Sequence, residues 1–296
     1  MLMRQTISHH GFLVGLFDIL GFENIFGRIG LDSLLSKYKE LIEIVNKSNF
    51  VYDFFKNEFN LSGSTYWFAD RKIKPIYQIR AAYASDSILL WADRTWPACK
   101  NISLKEMKDL RENSATGWLG HPVPCDPFLD LCNELICKSL EIGFPLRGAL
   151  SIGDAVFDEE QRIFLGKPII EAARLESCQQ WIGASPCNSF LSQIIPKRYL
   201  STFKEHLKPA CRETYSFIAL DWPRHWKKTR KLPAEELVNA IKADTHSKYY
   251  CNTLNFIKNS NANFHKYETE HETDLKNVYP CYANKDLALS VRYIKD

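Results

Sequence analysis

The chain of 296 residues carries a formal net charge of +3, with 45% hydrophobic and 25% charged residues. That length and composition fit one large folded unit, or one unit with an extension, and supply enough apolar sequence for a core. A balance this close to neutral excludes any argument for nucleic acid or a membrane from charge alone. No apolar run reaches transmembrane length. The nine cysteines include no Cys-x-x-Cys pair, and the N-terminus has no secretory pattern. Together these predict reduced thiols in a soluble cytoplasmic protein.

Residues 1–10 are polar and lead into an apolar run of strand length, Gly11-Phe-Leu-Val-Gly-Leu-Phe, that ends on Asp18. From Leu31 the apolar residues Leu34, Leu35, Tyr38, Leu41, Ile42 and Val45 fall at three-and-four spacing. This predicts a helix toward Phe59, with Asn49–Asn60 as its extension or as a second helix. Leu61–Asp70, with Ser62-Gly63-Ser64, reads as a loop. The stretch 76–91 reads as two strands joined by a tight turn at Ser85-Asp86. Residues 93–124 read as mostly irregular, with a short helix at 103–112, and Phe128–Ile142 is an amphipathic helix. Leu146–Ile152 is a strand, followed by a hairpin that turns at Asp158–Gln161. Gly166-Lys167-Pro168 then opens a helix to about Gln179, with proline in its first turn. Strands are expected at 181–184 and 215–222, helix from Pro233 to about Ile257, and a last element at 284–294. The basic stretch Trp222–Lys231, with its two tryptophans, reads as a solvated loop. The order of elements describes an α+β fold with helices on one face of the sheet.

Two carboxylates carry the chemistry. Asp18 closes the first strand, and Gly21 then allows a tight turn into a helix whose first N–H groups point back toward it. A buried strand-end carboxylate is costly unless a cation meets it. A helix N-terminus beside it suits a metal-bound phosphate, although Asp18 also reads as an ordinary N-cap. Asp86 sits at the first hairpin tip, where Ser-Asp-Ser is equally good turn chemistry. Two carboxylates held together repel one another and favour a divalent cation between them.

Four segments together resemble the class III nucleotidyl cyclases. They are Phe17-Asp18-Ile19-Leu20-Gly21-Phe22; Tyr83-Ala-Ser85-Asp86-Ser87, with Ser85 where the family usually has glycine; Arg147-Gly148-Ala-Leu-Ser-Ile152-Gly153-Asp154-Ala155; and Gly166-Lys-Pro-Ile-Ile170-Glu-Ala-Ala-Arg174-Leu-Glu176. They occur in the family's order across about residues 10–185, and 186–296 lie outside the resemblance. It implies a ferredoxin-like cyclase core over 1–185, with a C-terminal α/β extension over 186–296. It also implies that Asp18, Asp86 and the Ile19 carbonyl bind two Mg²⁺ or Mn²⁺ ions. The backbone of Leu20, Gly21, Phe22 and Glu23 would cradle phosphates. Arg174 would stabilise the transition state, as a planar, permanently charged guanidinium can, unless it only pairs with Glu171 or Glu176 on the helix surface. The family's sites form between two head-to-tail protomers, so a homodimer with shared sites is implied.

Where purine-specific members carry a base-reading lysine, an aspartate or similar polar residue and a ribose-orienting asparagine, this chain has Ala82, Ile163 and Ile170. With both metal carboxylates kept, the chain most resembles the pyrimidine cyclases of bacterial anti-phage signalling. These make cyclic UMP or cyclic CMP that acts on a separate effector. Gln78 and Arg80 share a strand face with Ala82 and are the candidates to reach the pyrimidine edge, though Arg80 reads equally well as a phosphate or solvent contact. Three other readings stay open: a purine cyclase with unusual base contacts, an inactive nucleotide-sensing or dimerisation module, and a polymerase-palm-like enzyme with a basic groove.

Overall fold

The computed structural model describes residues 11–47, 50–51, 66–68, 71–73, 75–77, 79–93, 98–99, 125–192, 195, 197–241 and 247–264. The strands are β1 Phe12–Ile19, β2 Phe50–Val51, β3 Tyr66–Phe68, β4 Arg71–Ile73, β5 Pro75–Tyr77, β6 Ile79–Ala84, β7 Ser87–Asp93, β8 Ala98–Cys99, β9 Leu146–Gly153, β10 Ala155–Asp158, β11 Ile163–Gly166, β12 Gly183–Pro186, β13 Leu200–Thr202 and β14 Ile218–Leu220. The helices are α1 Phe22–Lys47, α2 Asp126–Glu141, α3 Lys167–Ser177, α4 Asn188–Leu191, α5 Trp222–Thr229, α6 Ala234–Ile241 and α7 Ser247–Ala262.

The main sheet runs β12–β9–β1–β7–β6, antiparallel throughout except for the parallel β12–β9 pair. β1 is central, which explains its nearly unbroken apolar sequence: a strand covered on both faces has no polar side. Leu13, Phe17 and Ile19 pack with Leu34, Leu41 and Val45 of α1 and with Phe128, Leu135 and Ile136 of α2. On the opposite face Phe12 and Val14 meet Phe157 of β10, and Leu16 meets Ala172 and Leu175 of α3. The expected α+β architecture stands, with α1 and α2 on one face and α3 added against the other beside the β10–β11 hairpin.

Several local expectations change. α1 starts at Phe22, directly after Gly21, and not at Leu31. Gly30, at φ 74° and ψ 171°, kinks it where the three-and-four pattern begins. It ends at Lys47, and Phe50–Val51 pairs as a strand with β5 instead of extending the helix. Tyr66–Phe68, within the expected loop, pairs with β4. Trp222–Lys231 is not a solvated loop. The Asp221 side chain caps α5 by accepting the Arg224 amide, and Trp222 and Trp226 are 0% and 3% exposed. Their four-residue spacing puts both rings on one helical face, which loop composition conceals. The helix expected at 103–112 and the element at 284–294 lie outside the described residues.

Residues beyond 186 share the core of the sheet. Ala219, Leu220, Trp222, Val238 and Phe256 belong to the same buried cluster as Leu13 and Phe17. Residue 185, the expected boundary, lies inside β12. Cys178 and Cys211 form a disulfide, with Cα atoms 5.9 Å apart. This corrects the expectation of reduced thiols throughout. The pair is 33 residues apart in sequence, and the bridge between Gln179 and Leu207 brings it together. Among the described residues Cys132, Cys137, Cys187 and Cys251 are thiols outside any disulfide. No described helix is long and apolar enough to cross a membrane.

Two stability predictions arise here. Gly148 packs against β1 so closely that an added Cβ would lie 2.8 Å from the Leu16 carbonyl oxygen and would also collide with the Phe17 ring. Backbone cannot swing aside, so Gly148→Ala should lower unfolding stability by about 1–3 kcal/mol, the usual cost of overpacking. Denaturant unfolding measures it. His206 is fully buried against Trp181 and Phe203. Its Nδ1 meets the Phe203 carbonyl, and its Nε2 has no hydrogen-bond partner among the described residues. Burial lowers its pKa to about 4. The unfolded chain, titrating near 6.5, therefore binds the proton more readily. Stability should be full above about pH 6.5 and fall by roughly 3 kcal/mol as pH drops toward 4. His206→Gln should flatten that slope in melts taken at several pH values.

Candidate active site

Antiparallel register assembles the site at one edge of the sheet. Ala84, Ser87, Asp18, Arg147 and Gly183 form one row across β6, β7, β1, β9 and β12. The row ends where β1 stops, because the Ile19 amide donates to the Asp86 carbonyl at 2.9 Å and the Leu20 amide to the Pro145 carbonyl at 2.8 Å. Gly21, at φ +71°, then turns the chain, and its carbonyl accepts the Ile25 amide as α1 begins. Phe22 and Glu23 stand in the first turn of α1, where amides lack intrahelical acceptors. The Leu20 amide is already committed to Pro145, which restricts the phosphate cradle expected over Leu20–Glu23 to the residues after it.

The β6–β7 turn brings Asp86 to Asp18. Ser85 occupies the left-handed region at φ 55°, where a glycine would be less strained. The Tyr38 hydroxyl donates to its carbonyl at 3.1 Å and pins the turn. Tyr38 is pushed up to about 12 by burial and by the Asp86 charge. Asp18 also titrates above the ordinary carboxylate range. Burial is the largest cause; Arg147 opposes it, and the charge of Asp86 and a hydrogen bond to it add to it. A carboxylate pair kept this close is electrostatically costly, and a divalent cation relieves that cost.

Arg147 stands opposite Asp18 and is the cation that acts on it. Its Nη2 lies 3.4 Å from Asp18 Oδ2. Its Nε donates to Glu176, and Nη1 donates to the Tyr249 hydroxyl at 3.2 Å and the Gln179 carbonyl at 3.4 Å. Asp18, Leu20, Gly21, Arg147, Tyr249 and Tyr250 line a pocket of about 230 Å³. Sequence reading missed Arg147 as a site residue. It lies inside the quoted strand segment, and an arginine at a strand start beside small Gly148 was the available signal.

The other expected residues are placed elsewhere. Arg174 is exposed on the last turn of α3, with Ser177 donating to its carbonyl at 2.9 Å. Glu176, considered as its surface partner, pairs with Arg147 instead. Ala82 packs with Leu89, Phe164 and Ile169 against the Trp91–Phe157 cluster. Arg80 pairs with Glu159 at 2.6 Å on the hairpin turn, four residues, or roughly 13 Å, along β6 from the Asp18 row. Ile163 and Ile170 are 39% and 54% exposed. Gln78 lies outside the described residues.

The donor set suits a hard cation. Among the described residues no group of three or more histidine, cysteine, aspartate and glutamate side chains forms a metal cage. A cation held by Asp18 and Asp86 would keep coordination positions open for water and other oxygen ligands, the habit of Mg²⁺ and Mn²⁺.

No protein-family model matches the sequence, and no curated protein matches it. Solved structures similar in fold include the catalytic core of a rhodopsin-guanylyl cyclase with converted specificity, in complex with ATPalphaS. It has 12% identity and a TM-score of 0.40, covering 71% of this chain and 94% of that one. The adenylyl cyclase CyaB from P. aeruginosa has 10% identity and a TM-score of 0.39, with 67% and 85% covered. A bacterial light-regulated adenylyl cyclase has 10% identity and a TM-score of 0.40, with 79% and 98% covered. These are likenesses of general outline.

Proposed function

We propose that the chain is a nucleotidyl cyclase that converts UTP or CTP to the 3′,5′-cyclic mononucleotide and pyrophosphate. The observation that carries this reading is the Asp18–Asp86 pair. It is held at a sheet edge beside a glycine turn and a helix start, with Arg147 as the neighbouring cation.

In this reading Asp18, Asp86 and the Ile19 carbonyl hold two Mg²⁺ or Mn²⁺ ions, which supply activation of the ribose 3′-hydroxyl and neutralisation of phosphate charge when bound. The chain's own groups do the rest. First-turn amides of α1 and the Arg147 guanidinium orient the triphosphate. The 3′-hydroxyl passes its proton to solvent water, and its oxygen bonds to the α-phosphorus. The bond from that phosphorus to the bridging oxygen breaks, and pyrophosphate leaves with the electron pair. Arg174, exposed on α3, is contributed by the partner protomer of a homodimer to the charge that develops on the phosphoryl oxygens.

The pyrimidine assignment rests on two apolar residues, Ala82 and Ile163, at the positions of the purine readers. Ala82 is half-buried and packs against apolar side chains, which supports the absence of a polar base contact there. Arg80 and Gln78 remain the candidate readers, although the Arg80–Glu159 pair would have to open. Purified protein with Mn²⁺ and each of ATP, GTP, CTP and UTP, assayed separately for cyclic product, tests both levels. A cyclic pyrimidine supports the whole proposal. A cyclic purine keeps the chemistry and removes the base assignment. No product from any nucleotide argues for the sensing or scaffold reading.

A further inference from the structure

The segment beyond the sheet reaches the site through α7. Its first turn carries Tyr249 and Tyr250, and both line the pocket beside Asp18 and Arg147. α7 is firmly seated. Thr253 accepts the Ile182 amide at 2.8 Å and donates to the Tyr249 carbonyl at 2.7 Å. Asn252 donates to the Gln180 and Glu205 carbonyls at 2.9 and 3.0 Å. Phe256 and Ile257 are buried in the main core. A side chain on this turn therefore has a fixed position relative to β9.

An arginine directly opposite an aspartate, with nothing else to hold it, closes into a short paired contact and occupies the carboxylate. Here it does not. Glu176 takes Nε, and Gln179 and Tyr249 share Nη1, with the Tyr249 ring centroid 5.8 Å from the guanidinium carbon. What remains toward Asp18 is a long 3.4 Å contact. The guanidinium is thus held at the pocket wall without neutralising Asp18 fully.

We propose that Tyr249 is a positioning residue of the site: it holds Arg147 so that the guanidinium faces a polyphosphate in the pocket while Asp18 stays available to a cation. This deepens the cyclase reading and rests on it for the identity of the polyphosphate. It also gives the C-terminal segment a role, as a wall of the site.

The test is calorimetric binding of inorganic tripolyphosphate, with Mn²⁺, to the full chain, with melting temperatures recorded in parallel. Tyr249→Phe keeps the ring and removes the hydroxyl, and it should weaken binding about 5–10-fold, the scale of one ordinary net hydrogen bond. Tyr249→Ala should weaken it further. Arg147→Ala should weaken it most, and Arg147→Ala combined with Tyr249→Phe should bind no worse than Arg147→Ala alone, because Tyr249 acts through Arg147. The melting temperature of Tyr249→Phe should stay at the wild-type value.

Wild-type affinity in Tyr249→Phe overturns the inference, as do losses that multiply in the double variant. A loss that tracks a lowered melting temperature also overturns it, by making the role structural. If the wild type binds tripolyphosphate with this coupling but cyclises no nucleotide, the cyclase reading falls and the positioning role stands. If it cyclises a nucleotide while Tyr249→Phe keeps full affinity, only the positioning role falls. If it binds neither nucleotide nor tripolyphosphate, both fall.

Discussion

Replacing Asp18 with asparagine should take cyclase turnover below detection and leave the fold as stable as before, or slightly more so. Turnover goes because Asp18 is one of two carboxylates in the site, and an amide cannot replace its charge. Stability is kept for a separate reason. Burial and the neighbouring Asp86 raise the Asp18 pKa in the folded chain, so folding favours its neutral form. A group raised in this way stabilises most below its unfolded pKa and loses that contribution as pH rises through the folded value. At neutral pH the charged Asp18 is therefore a net cost, and a neutral isostere removes it. Arg147 keeps Glu176, Gln179 and Tyr249 as partners, so the change does not strand a charge. Cyclic-nucleotide assay and thermal melting on one preparation separate the two effects. An inactive Asp18→Asn protein that melts well below wild type would mean Asp18 is structural.

Arg174→Ala should cost about 10²–10³-fold in rate, the scale of a lost transition-state donor, with little change in melting temperature because the side chain is exposed. The sharper result concerns mixing. Arg174 lies on the exposed side of α3, while the cation that acts on Asp18 within the chain is Arg147. If the partner supplies Arg174, then Asp18→Asn and Arg174→Ala proteins, each at roughly 1% of wild-type activity or below alone, should recover about a quarter of it when mixed in equal amounts. Half of the dimers are then mixed, and each carries one intact site of its two. No recovery after verified subunit exchange would place both residues in one chain's site, or remove Arg174 from the chemistry. Dimer formation is checked by light scattering on the same samples.

The carboxylate pair could be read from sequence because its determinants are local. An apolar run that stops on an aspartate before Ile-Leu-Gly makes a strand end, and Ser-Asp-Ser between two apolar runs makes a hairpin tip. Both are set by turn chemistry within a few residues. Strand alternation likewise placed Ala82 and Arg80 on one face. The misreadings have an equally local cause. Trp222 and Trp226 sit in a basic stretch whose composition suggests a loop, yet an Asp221 cap and a buried helical face outweigh that composition. Cys178 and Cys211 are paired by contacts between distant segments that no spacing rule encodes.

The sequence by itself determined an α+β chain with an apolar first strand, two carboxylates at strand ends and an arginine on a helix. Each follows from periodicity, turn residues and the cost of burying charge, which act over neighbouring residues. Only the tertiary structure decided that Arg147 faces Asp18, because that depends on the β1–β9 register. Only it showed that Glu176, Gln179 and Tyr249 share the guanidinium, because these residues come from segments up to 102 positions away from Arg147. Hydrogen bonds of this kind have no sequence period. They are fixed by how the core seats α3 and α7 against the sheet.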